Sequence, residues 1–155
     1  MKPTLLRAGL VTPTGLFWVE TQDGAIIRAG WGDAPLTVDD PTLSLALSEI
    51  AAYFSGSLTR FSVPLRPRVS AFQHTFHQAL IGIPFGETRT YGQLAKLLNT
   101  PAQAIGQACG ANPIPLLIPC HRVLGAATLG GYSGAGGVET KVALLRHEGA
   151  GGLLL

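Results

Sequence analysis

Thr90-Tyr91-Gly92-Gln93-Leu94-Ala95-Lys96-Leu97-Leu98-Asn99-Thr100-Pro101-Ala102-Gln103-Ala104-Ile105-Gly106-Gln107-Ala108-Cys109 reads as two short helices joined by a tight turn. The first covers Thr90 to Leu98, with Leu94, Leu97 and Leu98 available for packing. Asn99-Thr100-Pro101 is the turn, and proline suits the first turn of the helix that follows, Ala102 to Cys109. Two such helices suggest a helix-turn-helix, although helical hairpins also occur in ordinary cores. The second helix has no arginine or lysine, which argues against ordinary major-groove reading by long polar side chains. A helix edged with alanine and glycine can instead approach a shallow groove closely.

Outward from this pair, Ser70 to Leu80 predicts a helix capped by Ser70, with Phe72, Phe76 and Leu80 on one side. Ile83-Pro84-Phe85-Gly86-Glu87 breaks it. The chain divides near residue 70. Before that point Gly15 to Glu20 and Ala25 to Trp31 read as two strands of a hairpin that turns at Gln22-Asp23-Gly24. Leu43, Leu47, Ile50, Ala51 and Phe54 give a helix ending at Ser55-Gly56. Phe61 to Leu65 is a further edge strand whose pairing Pro64 limits. The expected domains are an N-terminal α/β domain with its linker over 1–70, a mainly helical domain over 71–150, and a flexible tail over 151–155. The first of these reads as scaffold.

Ile118-Pro119-Cys120-His121-Arg122-Val123 carries the chemistry. Cys120 follows the apolar run Ile114 to Ile118 and has a histidine as its neighbour. A thiolate is the nucleophilic form of sulfur, and a nearby base or positive charge favours it. By itself the pair also fits an inert buried cysteine beside a core histidine. Cys109 reads as packing. His74 and His77 share a helix face, but no second ligand pair accompanies them, so no metal site is expected.

At 155 residues and 46% hydrophobic content, the chain can bury a core and is unlike a disordered segment. Its formal charge of +2 allows a nucleic-acid partner without arguing for one. Two cysteines make no disulfide framework, and neither a signal peptide nor a membrane span is visible. A reducing, cytoplasmic setting is expected, where a free reactive thiol persists.

Phe72 to Glu148 resembles the catalytic domain of the O6-alkylguanine-DNA alkyltransferases, also called methylated-DNA–protein-cysteine methyltransferases. The resemblance rests on Ile83-Pro84-Phe85-Gly86-Glu87-Thr88, Tyr91-Gly92-Gln93-Leu94-Ala95, Asn112-Pro113, Ile118 to Val123, Gly131-Tyr132-Ser133-Gly134 and Leu144-Leu145-Arg146-His147-Glu148-Gly149, in family order. It implies an α/β fold: a small ribonuclease-H-like N-terminal sheet domain, then a mainly helical domain with a helix-turn-helix. The implied function is DNA repair by a single transfer of the alkyl group of O6-alkylguanine to Cys120, after minor-groove binding and base flipping. O4-alkylthymine is left open as a second substrate. No metal or organic cofactor is implied.

The same resemblance implies roles. Cys120 is the nucleophile, His121 takes its proton, and Glu148 orients His121, a nucleophile–base–orienter series. Tyr91 helps rotate the nucleotide and donates its hydroxyl toward the purine. Val123, Tyr132 and Ser133, with Pro115, line the guanine pocket, and Asn112 is a buried hinge. Tyr91, Ala102, Gln103 and Arg122 are the expected DNA contacts, although Arg122 could equally serve the fold. The expected partner is double-stranded DNA with alkylated bases, bound by a monomer at the nucleoid and not at a membrane, with clustering along DNA left open.

Two departures stand out. Gln103 occupies a position where the family normally has an arginine that fills the space of the flipped base. Glutamine is shorter and neutral, so weaker binding or slower flipping is expected. The loop Leu124-Gly125-Ala126-Ala127-Thr128-Leu129-Gly130 is shorter than the family's and lacks its basic tip. The net positive charge lies wholly in 71–155, where Arg89, Lys96, Arg122, Lys141 and Arg146 face Glu87, Glu139 and Glu148. So few cations predict moderate salt sensitivity. Two other classes compete: an alkyl-lesion-binding protein that recruits repair factors without transfer, which Cys120 disfavours, and a Cys-His hydrolase, which the DNA-facing segments disfavour.

Overall fold

The computed structural model describes residues 5–36, 39–126, 129–130 and 137–150. The chain divides into two compact units, Met1–Arg68 and Val69–Leu155. The architecture is mixed α/β, with the sheet in the first unit and most helices in the second.

In the first unit β1 (Leu6–Thr12), β2 (Gly15–Gln22) and β3 (Ala25–Trp31) form an antiparallel sheet in that order. The β2–β3 turn places Asp23 and Gly24 at φ 53° and 76°, the left-handed pair that suits the twist of a two-residue hairpin. Ala8, Val19 and Ala29 lie in register and are buried; Arg7, Glu20 and Arg28 lie in register with each other on the opposite face. Glu20 bridges the two arginines at 2.8 and 3.1 Å.

Helix α1 (Pro41–Phe54) packs across all three strands through Leu43, Ala46, Ile50 and Tyr53. Asp40 caps it by accepting from the Leu43 amide, and Pro41 opens its first turn. The strand expected over Phe61 to Leu65 is reduced to a single bridge between Leu65 and Ile26. Pro64 has no N–H to extend a ladder, although its carbonyl accepts from the Ile26 amide.

The second unit begins with α2 (Ala71–Ile81), capped by Ser70. Its buried stripe is Gln73, Phe76, His77 and Leu80, so Phe72, expected inside, is 40% exposed. His74 is exposed while His77 is buried; the two do not share an environment. The strand β4 (Arg89–Thr90) pairs in parallel with β5 (Val123–Leu124).

Between these strands lies the helical pair. Helix α3 (Tyr91–Leu98) starts from a reciprocal capping box between Thr90 and Gln93. It ends at Asn99, whose φ of 52° stops helical propagation. Helix α4 (Ala102–Gly110) follows Pro101 and packs on both α3 and α2. Leu94 is buried as expected, but Leu97 is 70% exposed. Helix α5 (Val138–His147) closes the described chain and ends on Glu148.

Candidate active site

Four structural pieces converge on Cys120. The first is the turn that delivers it. Asn112 is buried; its Nδ2 donates to the Ile118 carbonyl at 2.9 Å and its Oδ1 accepts from the Ile114 amide at 3.0 Å. One side chain therefore ties both ends of the segment between α4 and Cys120. Within it Leu116 is buried at φ 74°, a left-handed conformation costing a leucine on the order of 1–2 kcal/mol. Packing around Leu116 and the Asn112 latch hold that strain in place. Pro115, expected in the pocket wall, is buried in this turn and bridges to Ile118.

The second piece is the short 3₁₀ turn Cys120–Arg122, which exposes almost none of its side chains. His121 is fully buried, with Nε2 2.7 Å from Glu148 Oε2. Arg122 holds the same carboxylate with two further bonds, Nε to Oε1 at 2.8 Å and Nη2 to Oε2 at 3.0 Å. Its Nη1 donates to the Ile83 carbonyl at 2.6 Å. The expectation that Arg122 contacts DNA is therefore replaced. Its guanidinium is buried and committed to Glu148 and the Ile83 carbonyl, so it positions the site from within.

The charge states follow. Burial alone would raise Glu148, but the hydrogen bonds and charges of His121 and Arg122 outweigh it and hold the carboxyl at about 2. Burial lowers His121 despite the pull of Glu148, so the imidazole is neutral. An anionic Glu148 accepts the Nε2 proton, which leaves the lone pair on Nδ1. That Nδ1 is buried and has no hydrogen-bond partner among the described residues.

The third piece is Tyr91, the first residue of α3, half-buried at the edge of the site. Gly130 lies against its ring: a Cβ there would stand 2.7 Å from the Tyr91 hydroxyl. Gly130 also has a φ of 72°, so both space and backbone require glycine.

The fourth piece, Lys141 on α5, was not anticipated as a site residue. It is fully buried; its Nζ donates to the Val123 carbonyl at 2.6 Å and lies 5.9 Å over the Tyr91 ring. Its helical spacing with Leu144, Leu145 and Glu148, all buried, was the signal that could have found it. Burial raises the Cys120 thiol, while a hydrogen bond from Asn112 and the charge of Lys141 act the other way. Cys109, half-buried on α4, is pushed up to about 12, chiefly by burial.

The site thus brings together Cys120, His121, Glu148, Asn112, Val123 and Tyr91. Tyr132 and Ser133 lie outside the described residues, as do part of the 124–130 loop (127–128) and the 151–155 tail. Ala102 and Gln103 sit apart from these groups, exposed in the first turn of α4. With Gly106, Gln107 and Gly110 they form its exposed, uncharged stripe.

Residues 71–150 match the family described as 6-O-methylguanine DNA methyltransferase, DNA binding domain. A methylated-DNA–protein-cysteine methyltransferase of Mycobacterium tuberculosis is 46% identical over 115 residues, covering 72% of this chain and 68% of that protein. One from Archaeoglobus fulgidus is 36% identical over 140 residues, covering 85% of this chain and 95% of its own. The crystal structure of Mycobacterium tuberculosis O6-methylguanine methyltransferase is similar with a TM-score of 0.83 and 33% identity, over 98% of this chain and 97% of that one. A structure of Mycobacterium tuberculosis OGT in complex with DNA is similar with a TM-score of 0.80 and 37% identity, over 92% of each chain.

Proposed function

The chain belongs to the 6-O-methylguanine DNA methyltransferase family, and from that premise we propose that Cys120 accepts the O6-alkyl group of guanine in DNA, once per molecule. The activity is that of a methylated-DNA–protein-cysteine methyltransferase in DNA repair. The observation that carries the assignment of roles is the buried series Arg122, Glu148, His121, adjoining Cys120.

The chemistry follows from the charge states. The Cys120 sulfur attacks the alkyl carbon; a sulfur–carbon bond forms, and the carbon–oxygen bond breaks with its electron pair left on the purine. The thiol proton passes to His121 Nδ1, the lone pair that Glu148 leaves available. The departing guanine anion needs a proton or a strong hydrogen bond, and the role proposed for the Tyr91 hydroxyl is to donate one. The product is a neutral thioether, a bond that water does not cleave under these conditions, so the protein is consumed. The reacting carbon lies inside the base stack, which requires the nucleotide to be turned out of the duplex.

The exposed stripe of α4 is the proposed DNA-facing surface. Gly106 and Gly110 have open space where a Cβ would be, so packing within the protein does not require glycine at either place. Small residues there suit close approach to a minor groove. Arg122 and Lys141 are committed internally, which leaves Arg89, Lys96 and Arg146 as the surface cations of 71–155. The binding unit is one copy of the chain, acting in the cytoplasm at the nucleoid. No helix among the described residues is long and apolar enough to cross a membrane.

The test is incubation with a duplex oligonucleotide carrying O6-methylguanine, followed by intact and peptide mass measurement. A methyl adduct on Cys120, absent in Cys120→Ser, is the expected result. Failure to form any adduct sinks the proposal, and tight lesion binding without one favours a recruiting role instead.

A further inference from the structure

Two segments distant in sequence hold Arg122. Its Nε and Nη2 grip the Glu148 carboxylate at 2.8 and 3.0 Å, and Nη1 donates to the Ile83 carbonyl at 2.6 Å. Its Cζ also stands over the ring of Phe85, 6.0 Å from the centroid, within the range at which a guanidinium is attracted to an aromatic face. The same ring meets His147 edge-on, with centroids 6.1 Å apart and planes at 85°. His147 is the last residue of α5, and Glu148 follows it. One half-buried phenyl ring therefore lies against both the cation that grips the carboxylate and the residue that precedes it.

The turn that carries Phe85 is fitted to this place. Ile83 is buried, and the Glu87 amide closes the turn on the Pro84 carbonyl at 3.0 Å. Gly86 has a φ of 85°, and a Cβ there would stand 3.3 Å from the Glu148 carbonyl oxygen. Glycine thus lets the turn sit close against the backbone of Glu148. The chain then passes through β4, which pairs with β5 directly after the Cys120–Arg122 turn, and into Tyr91.

We propose that Phe85 is a positioning residue for the transfer: its ring holds Arg122 and the end of α5 in the arrangement that fixes Glu148 on His121. This rests on His121 being the base that serves Cys120. Glu148 selects the Nε2-protonated imidazole only while its carboxylate keeps its place, and the two bonds from Arg122 set that place. Beyond the carboxylate, Arg122 is tied by the Ile83 carbonyl and the Phe85 ring, both from the same turn. Loss of the ring lets the guanidinium shift and water reach it. A carboxylate that follows the guanidinium no longer selects a single imidazole tautomer.

Packing alone makes a different prediction from positioning. Phe85→Leu keeps apolar bulk and removes the ring; Phe85→Tyr keeps the ring. The protein is labelled with 15N in its four histidines, and the proton-bearing nitrogen of His121 is read at neutral pH from the shifts of Nδ1 and Nε2. The His121 signals are those missing from His121→Asn. The unaltered protein and Phe85→Tyr should carry the proton on Nε2 alone, while Phe85→Leu populates both tautomers. Single-turnover methyl transfer at saturating duplex should slow on the order of tenfold in Phe85→Leu, with duplex affinity unchanged and the rate restored in Phe85→Tyr. A His121 spectrum in Phe85→Leu that superimposes on that of the unaltered protein overturns the inference, whatever the urea midpoint does. So does Phe85→Tyr behaving as Phe85→Leu. Should Phe85→Leu fail to fold, Phe85→Met supplies the second ringless variant, with the same two outcomes. The tautomer is read without DNA or alkylguanine, so its failure is distinct from a failure of Cys120 to take an alkyl group.

Discussion

Glu148 and His121 meet at 2.7 Å with both side chains fully buried, and Arg122 grips the same carboxylate from the other side. Glu148 is therefore at once the orienter of the base and the counter-charge of a buried guanidinium. Glu148→Gln should show both roles. Leaving Arg122 uncompensated costs on the order of 3–5 kcal/mol, read as a fall in the urea midpoint. Loss of the fixed His121 tautomer slows transfer on the order of 100-fold, read as single-turnover adduct formation. An unaltered midpoint and rate would show that Glu148 is not held as the structure has it.

Acid should weaken the fold in two stages. His77 is buried on α2, where its Nε2 meets the Gln73 side chain at 2.9 Å. Burial, helped by the charge of His74, lowers its pKa from 6.5 to about 4. Between those values the unfolded chain binds a proton that the native state refuses. The stability His77 permits is complete above pH 6.5 and is lost as pH falls toward 4, roughly 3 kcal/mol in all. Glu148, held at about 2, contributes stability that is present above its ordinary 4.5 and lost as pH falls further toward 2. His77→Leu should flatten the first stage. Urea midpoints at pH 7 and pH 4.5 measure it, and an equal loss in both proteins would refute the assignment to His77.

Local capping and spacing made the helical pair readable: Thr90 and Gln93 advertise a helix start, and Pro101 a second one. Other features depended on partners distant in sequence. Leu6 to Thr12 has no clear alternation and becomes β1 because β2 lies beside it. Phe72 and Leu97 fell outside because the buried stripes of their helices run through Gln73 and Leu94 instead. Cys120, His121 and Glu148 were legible through their motif. Lys141 was not, and Arg122 stayed open between the fold and DNA, because a cation reads as surface until the structure shows a carboxylate or a carbonyl waiting in the core.

Gly106→Ala separates stability from DNA approach. Open space receives the new methyl group, and the backbone is helical, so the fold should gain about 0.5–1 kcal/mol. The same methyl group would stand between α4 and a closely apposed groove. Duplex affinity should fall while thermal stability rises, measured by fluorescence anisotropy and a melting curve. Unchanged affinity would remove α4 from the DNA-facing surface.

Gln103 tests how the base is delivered rather than how it reacts. It lies exposed in the first turn of α4 and is neutral, and the sequence resemblance leads to the expectation of an arginine there. Gln103→Arg adds a cation near the phosphates and a longer side chain to occupy the gap left by a flipped nucleotide. Duplex repair should accelerate, and the salt dependence of DNA affinity should steepen by about one unit in the log–log slope. Reaction with free O6-benzylguanine needs no flipping and should change little. If both substrates accelerate equally, the substitution acts on the chemistry at Cys120, and the delivery role assigned to residue 103 is wrong.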